Sequence, residues 1–169
     1  MIRAVTQADA AQICAIYNYY IETSVISFEL TPVSVEQMVQ RIEQIAAMGL
    51  PWLVAMDGTQ IMGYAYATTW KTRFAYRFSV EITVYLAQQG TAKGVGSALY
   101  HALFEVLETK QVHAVVACIA LPNPQSVALH EKFGMCKVGH FEEVGEKFDR
   151  WLDVGYWQVN LPRNKSKGD

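Results

Sequence analysis

The chain has 169 residues, of which 51% are hydrophobic and 18% charged, with a formal net charge of −2. That length fills one domain with a full core, and that balance excludes a disordered chain. It gives no nucleic-acid footprint, no apolar run near the roughly 20 residues that cross a bilayer, and no signal peptide around the early Asp9.

Residues 2–5 read as a short strand. Thr6 and Asp9 form a T-x-x-D helix start, and Ile13, Ile16, Tyr17, Tyr20 and Ile21 follow at helical spacing. Residues 23–28 form a loop before Thr31-Pro32. Ser34 and Gln37 make a capping box for a second helix, striped by Val35, Met38, Val39, Ile42, Ile45 and Ala46 and closed by Gly49. Residues 52–56 are a strand, Asp57-Gly58 a hairpin turn, and residues 61–70 the return strand with a bulge at Gly63. Residues 71–77 carry three cations and two aromatics, which suit either a solvated loop or a wall for a small anion.

Next, Val80, Ile82, Val84 and Leu86 alternate with Glu81, Thr83 and Tyr85, the period of a strand. After a turn holding Gly90, Gly94 and Gly96, residues Val95, Ala98, Leu99, Ala102, Leu103, Val106 and Leu107 recur at helical spacing. A strand entering a helix through glycines makes an anion site, because the first helical N–H groups are unpaired and the peptide dipoles add positive potential. Those glycines serve equally well simply to begin a helix. The dinucleotide fingerprint fails at Leu99, and the P-loop pattern is absent.

Residues 113–120 read as a strand buried on both faces. Asn123 caps and Pro124 opens a helix that runs to Phe133 and stops at Gly134. Residues 136–144 and 150–161 form two antiparallel strands around a loop at 145–149, and their Trp151, Tyr156 and Trp157 suit either a subunit contact or the core. Residues 1–162 form one domain with a polar tail at 163–169. The order of elements implies an α/β mixed sheet with helices on both faces. Cys14, Cys118 and Cys136 lie in apolar contexts with no C-x-x-C pair, so buried free thiols in a reducing cytoplasm are expected. None of the four histidines has metal-ligand spacing, and no metal is expected.

The segment Thr91-Ala92-Lys93-Gly94-Val95-Gly96 resembles the coenzyme A loop of GNAT N-acetyltransferases, with Thr91 where that family usually has Gln or Arg. Trp70-Lys71-Thr72-Arg73, Val84-Tyr85, Gly94 to Tyr100, Leu121-Pro122-Asn123, Leu129-His130-Glu131-Lys132-Phe133-Gly134 and Trp151 to Gln158 resemble the phosphinothricin and methionine sulfoximine or sulfone acetyltransferase type. The resemblance spans nearly the whole chain.

It implies a GNAT-like, mostly antiparallel central sheet, acetyl-CoA as co-substrate, a small amino-acid substrate and a homodimer. It makes Glu81 the general base and gives His130 a catalytic role as acid, base or binder. Val84, Tyr85 and Leu86 would hold the pantetheine arm with Asn123, and Ala92, Lys93, Gly94, Val95, Gly96 and Ser97 the pyrophosphate. Phe28, Glu29, Lys71, Arg73, Phe74 and Tyr76 would line the amine substrate's pocket. A GNAT acting on another amine and a non-catalytic acetyl-CoA-binding domain remain the alternatives.

Overall fold

Ser34 and Gln37 cap each other, Ser34 Oγ accepting from Gln37 N and Gln37 Oε1 from Ser34 N. That reciprocal pair starts α2 (Val35–Ala47), whose Met38, Ile42 and Ile45 turn inward. The same logic starts the first helix, where Asp9 accepts from the Thr6 N–H, but a 3-10 turn (Gln7–Asp9) precedes α1 (Ala10–Thr23). The computed structural model describes residues 1–90 and 94–162.

Seven strands make one sheet: β1 (Ile2–Ala4), β2 (Trp52–Asp57), β3 (Gln60–Thr69), β4 (Ser79–Leu86), β5 (Ala114–Leu121), β6 (Cys136–Lys147) and β7 (Arg150–Asn160). Their order is β1-β2-β3-β4-β5-β7-β6, and every pairing is antiparallel except β4 with β5. The architecture is the mixed, mostly antiparallel sheet with helices on both faces that the resemblance implies. α1 and α2 cover one face over Trp52, Val54 and Tyr64. α3 (Val95–Thr109) packs on the other face over Ala65, Ala67, Val80, Ile82, Val115 and Ala117, with α4 (Pro124–Lys132) beside it. Alternate side chains of β2 and β3 therefore enter different cores, and both faces are buried.

Three sequence expectations are corrected. The bulge in β3 falls at Met62, since Ala55 pairs with Gly63 and Met56 with Ile61. Gly63 is required for a different reason: a Cβ there would sit 2.6 Å from Leu86 Cδ2 and 2.9 Å from the Tyr85 carbonyl oxygen. The last hairpin has no loop at 145–149. β6 runs through Gly145 to Lys147, and Phe148 and Asp149, at φ 53° and 55°, make a two-residue turn. Only Cys14 is a buried thiol; Cys118 and Cys136 are exposed, because the sheet face under Cys118 lies beyond the cover of α1 and α2 and Cys136 opens the edge strand.

Candidate active site

β4 and β5 pair only from Ser79 to Glu81 against Ala114 to Val116. Beyond Glu81 they part, so one backbone edge of residues 82–86 has no strand beside it. Backbone N–H and C=O groups demand partners, and an open strand edge suits an extended ligand that carries amides. The seam enters a groove of about 400 Å³. Val84, Tyr85, Leu86, Gly94, Val95, Gly96, Ser97 and Asn123 all line it, as the sequence suggested. Ala92 and Lys93 lie outside the described residues.

At the groove's far end stands the N-terminus of α3. Gly94 caps it at φ +70°, a left-handed conformation that favours glycine. Gly96 lets α4 approach, since a Cβ there would come 3.2 Å from Leu129 Cδ2. Lys132 Nζ donates to Ser97 Oγ at 2.9 Å, which brings a cation to the same point. Unpaired N–H groups, the helix dipole and this ammonium together suit a phosphate. Asn123 is occupied as the N-cap of α4, accepting from Ser126 N at 3.1 Å.

Sequence reasoning missed Tyr20, Ile26 and Lys132. Tyr20 sits in the apolar stripe of α1, but its hydroxyl donates to the Leu86 carbonyl at 2.7 Å across the groove. A hydroxyl in an otherwise apolar stripe was the available signal. Ile26 and Lys132 carried none.

On β4, Val80 and Ile82 face the α3 core, which leaves Glu81, Thr83 and Tyr85 on the opposite face. The Glu81 carboxylate is half-buried and takes no hydrogen bond from the described residues. Burial raises its pKa and the nearby Lys71 charge opposes the rise. Cys118 and Tyr156 pair in register on β5 and β7 and share this patch. Although Cys118 is exposed as a residue, desolvation by the neighbouring strands pushes its thiol up, and Glu81 adds to the effect. The Tyr156 phenol is pushed up to about 12 by burial, then by Cys118 and Glu81. A thiol held neutral is a poor nucleophile.

His130 lies in the last turn of α4, 3% exposed. Its Nδ1–H donates to the Ser126 carbonyl at 2.7 Å, which leaves Nε2 to accept from the Tyr100 hydroxyl at 2.8 Å. Burial lowers its pKa, so the ring is neutral with both nitrogens engaged. His130, Tyr100, Thr83 and Cys118 border a polar cavity of about 60 Å³ under the seam. That is room for a water or two.

The residues expected around the amine are more scattered. Glu29 is paired to Arg41 through two hydrogen bonds of 2.7 and 3.0 Å and accepts from Tyr17 at 2.9 Å. Phe28 lies on Gly145 of β6. Lys71 sits over the Trp70 ring at 4.7 Å, within electrostatic reach of Glu81. Arg73, Phe74 and Tyr76 are exposed around a 3-10 turn (Phe74–Tyr76) and line neither the groove nor the cavity.

A split parallel strand pair with a glycine-capped helix at its mouth suits an extended ligand that carries amides and ends in a phosphate. Residues 2–155 match the model of the GNAT acetyltransferase domain, and the chain belongs to that family. The phosphinothricin N-acetyltransferase of Streptomyces viridochromogenes is 41% identical over 93% of this chain and 85% of its own length. The L-methionine sulfoximine/L-methionine sulfone acetyltransferase of Pseudomonas aeruginosa is 34% identical over 98% of this chain and 96% of its own. A phosphinothricin acetyltransferase structure from Sinorhizobium meliloti, in complex with acetyl-CoA, superposes at a TM-score of 0.94 with 33% identity, over 100% of this chain and 92% of that one.

Proposed function

We propose that this chain moves the acetyl group of acetyl-CoA to the α-amine of a small amino-acid-like substrate such as phosphinothricin, methionine sulfoximine or methionine sulfone. The observation that carries this reading is the open β4–β5 seam, which joins the Glu81 carboxylate at one end to the α3 N-terminus at the other. The free edge of residues 82–86 fits the amides of a pantetheine arm, and the helix terminus with Lys132 fits the pyrophosphate.

The chemistry then falls to this chain's residues. An ammonium has no lone pair, so Glu81 takes a proton from the amine, through a water where the distance requires one. The amine nitrogen bonds to the acetyl carbon, the carbon–sulfur bond breaks, and the second proton lost by the nitrogen goes to the departing thiolate, which leaves as the thiol of coenzyme A. A backbone N–H at the end of β4 polarises the carbonyl. His130, neutral and hydrogen-bonded by Tyr100, holds the tautomer that lets the pair work on the thiolate side. Transfer is direct from the thioester to the amine, both held in one cleft. Lys71 and Arg73 draw the substrate's carboxylate to the mouth.

Residues 1–162 act as one acetyltransferase unit, and two copies pair. Val138, Phe141, Val144, Phe148 and Trp151 of the edge hairpin are each more than half exposed, which supports the pairing. A cytoplasmic setting fits three free thiols. No helix among the described residues is long and apolar enough to cross a membrane.

Thiol release from acetyl-CoA tests the reading, with methionine sulfone, methionine sulfoximine, phosphinothricin, methionine and an alanine-terminated peptide as acceptors. Turnover on the oxidised or phosphinate amino acids with little on methionine supports it. Turnover on the peptide alone reassigns the acceptor, and acetyl-CoA binding without turnover on any amine overturns the catalytic reading.

A further inference from the structure

Lys147 is the last residue of β6 and only 2% exposed. Its Nζ donates to the Ser27 carbonyl at 2.7 Å and lies 5.1 Å from the Phe148 ring centroid. No carboxylate of the described residues pairs with it. Burial lowers its pKa. A buried ammonium without a counter-ion is costly, and a Met or Leu would fill the slot without that cost. The hydrogen bond to Ser27 is what the cation adds.

Ser27 is the middle of a bridge that leaves α1 and crosses to the β6–β7 hairpin. It is 4% exposed, and its hydroxyl meets Tyr17 Oη at 3.0 Å and accepts from Glu29 N at 3.2 Å. On one side of it, Ile26 borders both the groove and the small cavity beside Thr83. On the other, the Phe28 ring occupies the notch left by Gly145, where any Cβ would collide with it. The Ser27 carbonyl therefore lies between Ile26, which bounds the cleft, and Phe28, which anchors the bridge on the hairpin, and its partner is the hairpin's buried cation.

We propose that Lys147 is a positioning residue for the acceptor side of the site: with Phe28 seated on Gly145, it holds the 24–29 bridge against the β6–β7 hairpin, so that Ile26 sets the size of the amine that fits. This rests on the acetyl-transfer reading above. Lys147 touches neither substrate and acts through Ser27.

The test uses the full-length chain with Lys147→Met, and Lys147→Gln as the variant that keeps a donor. Loss of a hydrogen bond to a charged group predicts a rise of roughly tenfold in the KM for the amine. The kcat at saturating amine and the KM for acetyl-CoA stay within about threefold, and preference for small acceptors over bulky ones falls. Lys147→Gln recovers part of the loss. Amide exchange over residues 24–29 quickens in Lys147→Met, and Gly145→Ala, which displaces Phe28 with Lys147 intact, gives the same KM change. The double variant is not additive, because both act through one bridge. An unchanged amine KM with unchanged exchange overturns the proposal, as does a fall in kcat with KM intact. If the wild type acetylates none of the amines, the acetyl-transfer reading falls and the exchange arm alone decides whether Lys147 holds the bridge.

Discussion

Glu81, the proposed base, shows how burial and ionisation conflict at one residue. Its carboxylate is half-buried and takes no hydrogen bond from the described residues, and burial raises its pKa in the fold. The unfolded chain ionises at the ordinary value, so stability falls as pH rises from that value through the raised one. Glu81→Gln is therefore expected to keep or slightly raise Tm at neutral pH while lowering kcat/KM by about 10²–10⁴. The acid limb of the pH–rate profile, displaced upward in the wild type, should vanish with it. A wild-type-like profile in the variant would remove Glu81 from the base role. Tyr100 makes a different point. Its hydroxyl satisfies a buried histidine nitrogen, and Tyr100→Phe leaves that nitrogen unpaired. Denaturant unfolding should show a loss of about 1–3 kcal/mol, the cost of an orphaned buried polar group. No loss would mean that water in the 60 Å³ cavity takes over the bond.

Between elements, glycines set how closely strands and helices approach. Gly63 admits β4 against β3, and the obstacle to a Cβ there includes a backbone oxygen that cannot rotate away. Gly63→Ala is expected to cost about 1–3 kcal/mol by overpacking, and to weaken acetyl-CoA binding because the shifted atoms belong to Tyr85 and Leu86. Gly96→Ala meets only side-chain ends, Leu129 at 3.2 Å and Leu86 at 3.5 Å, and should cost less, so chemical denaturation of the two variants ranks them. Asp9 ties β1 to α1 through two hydrogen bonds from Arg3 and one from the Thr6 N–H, and these hold its pKa down to about 2. Its contribution is fully present above the unfolded value near 4 and is lost as pH falls toward 2. With Arg3 partly exposed, Asp9→Asn should cost about 1–2 kcal/mol at neutral pH, an amount that shrinks as pH falls through the folded value and is gone below it. These elements were legible from sequence wherever a local code wrote them: the Ser34–Gln37 box, the Asp57-Gly58 turn, the alternation of β4. The last hairpin was misread because Gly145 looks like a turn residue. It is glycine for tertiary reasons, since the Phe28 ring occupies the place of its side chain. The partners of Glu81 and His130 were equally hidden, because Cys118, Tyr156 and Tyr100 come from strands and helices distant in sequence.

Across the whole molecule, the sheet has two unequal ends. β1 closes one with three residues that pair to β2, whereas β6 closes the other with twelve residues and an unpaired outer edge. A long edge strand invites pairing with another chain unless charge, proline or cover blunts it. This one carries Val138, Phe141 and Val144 exposed, and Trp151 on β7 is 66% exposed. Leaving that much apolar area in water is unfavourable, and a second copy offers the same surface for a two-fold contact. The hairpin also receives Phe28 at Gly145 and reaches back through Lys147 to the Ser27 carbonyl, so a partner that stiffens it would stiffen the bridge that carries Ile26. Sedimentation equilibrium should therefore give twice the 19.0 kDa chain mass at micromolar concentration. Trp151→Glu with Val144→Glu should halve it, and with it raise the amine KM more than the acetyl-CoA KM. A wild-type monomer at these concentrations would leave the hairpin's apolar face unexplained by self-association, and unchanged kinetics in a monomeric variant would uncouple the edge from the site.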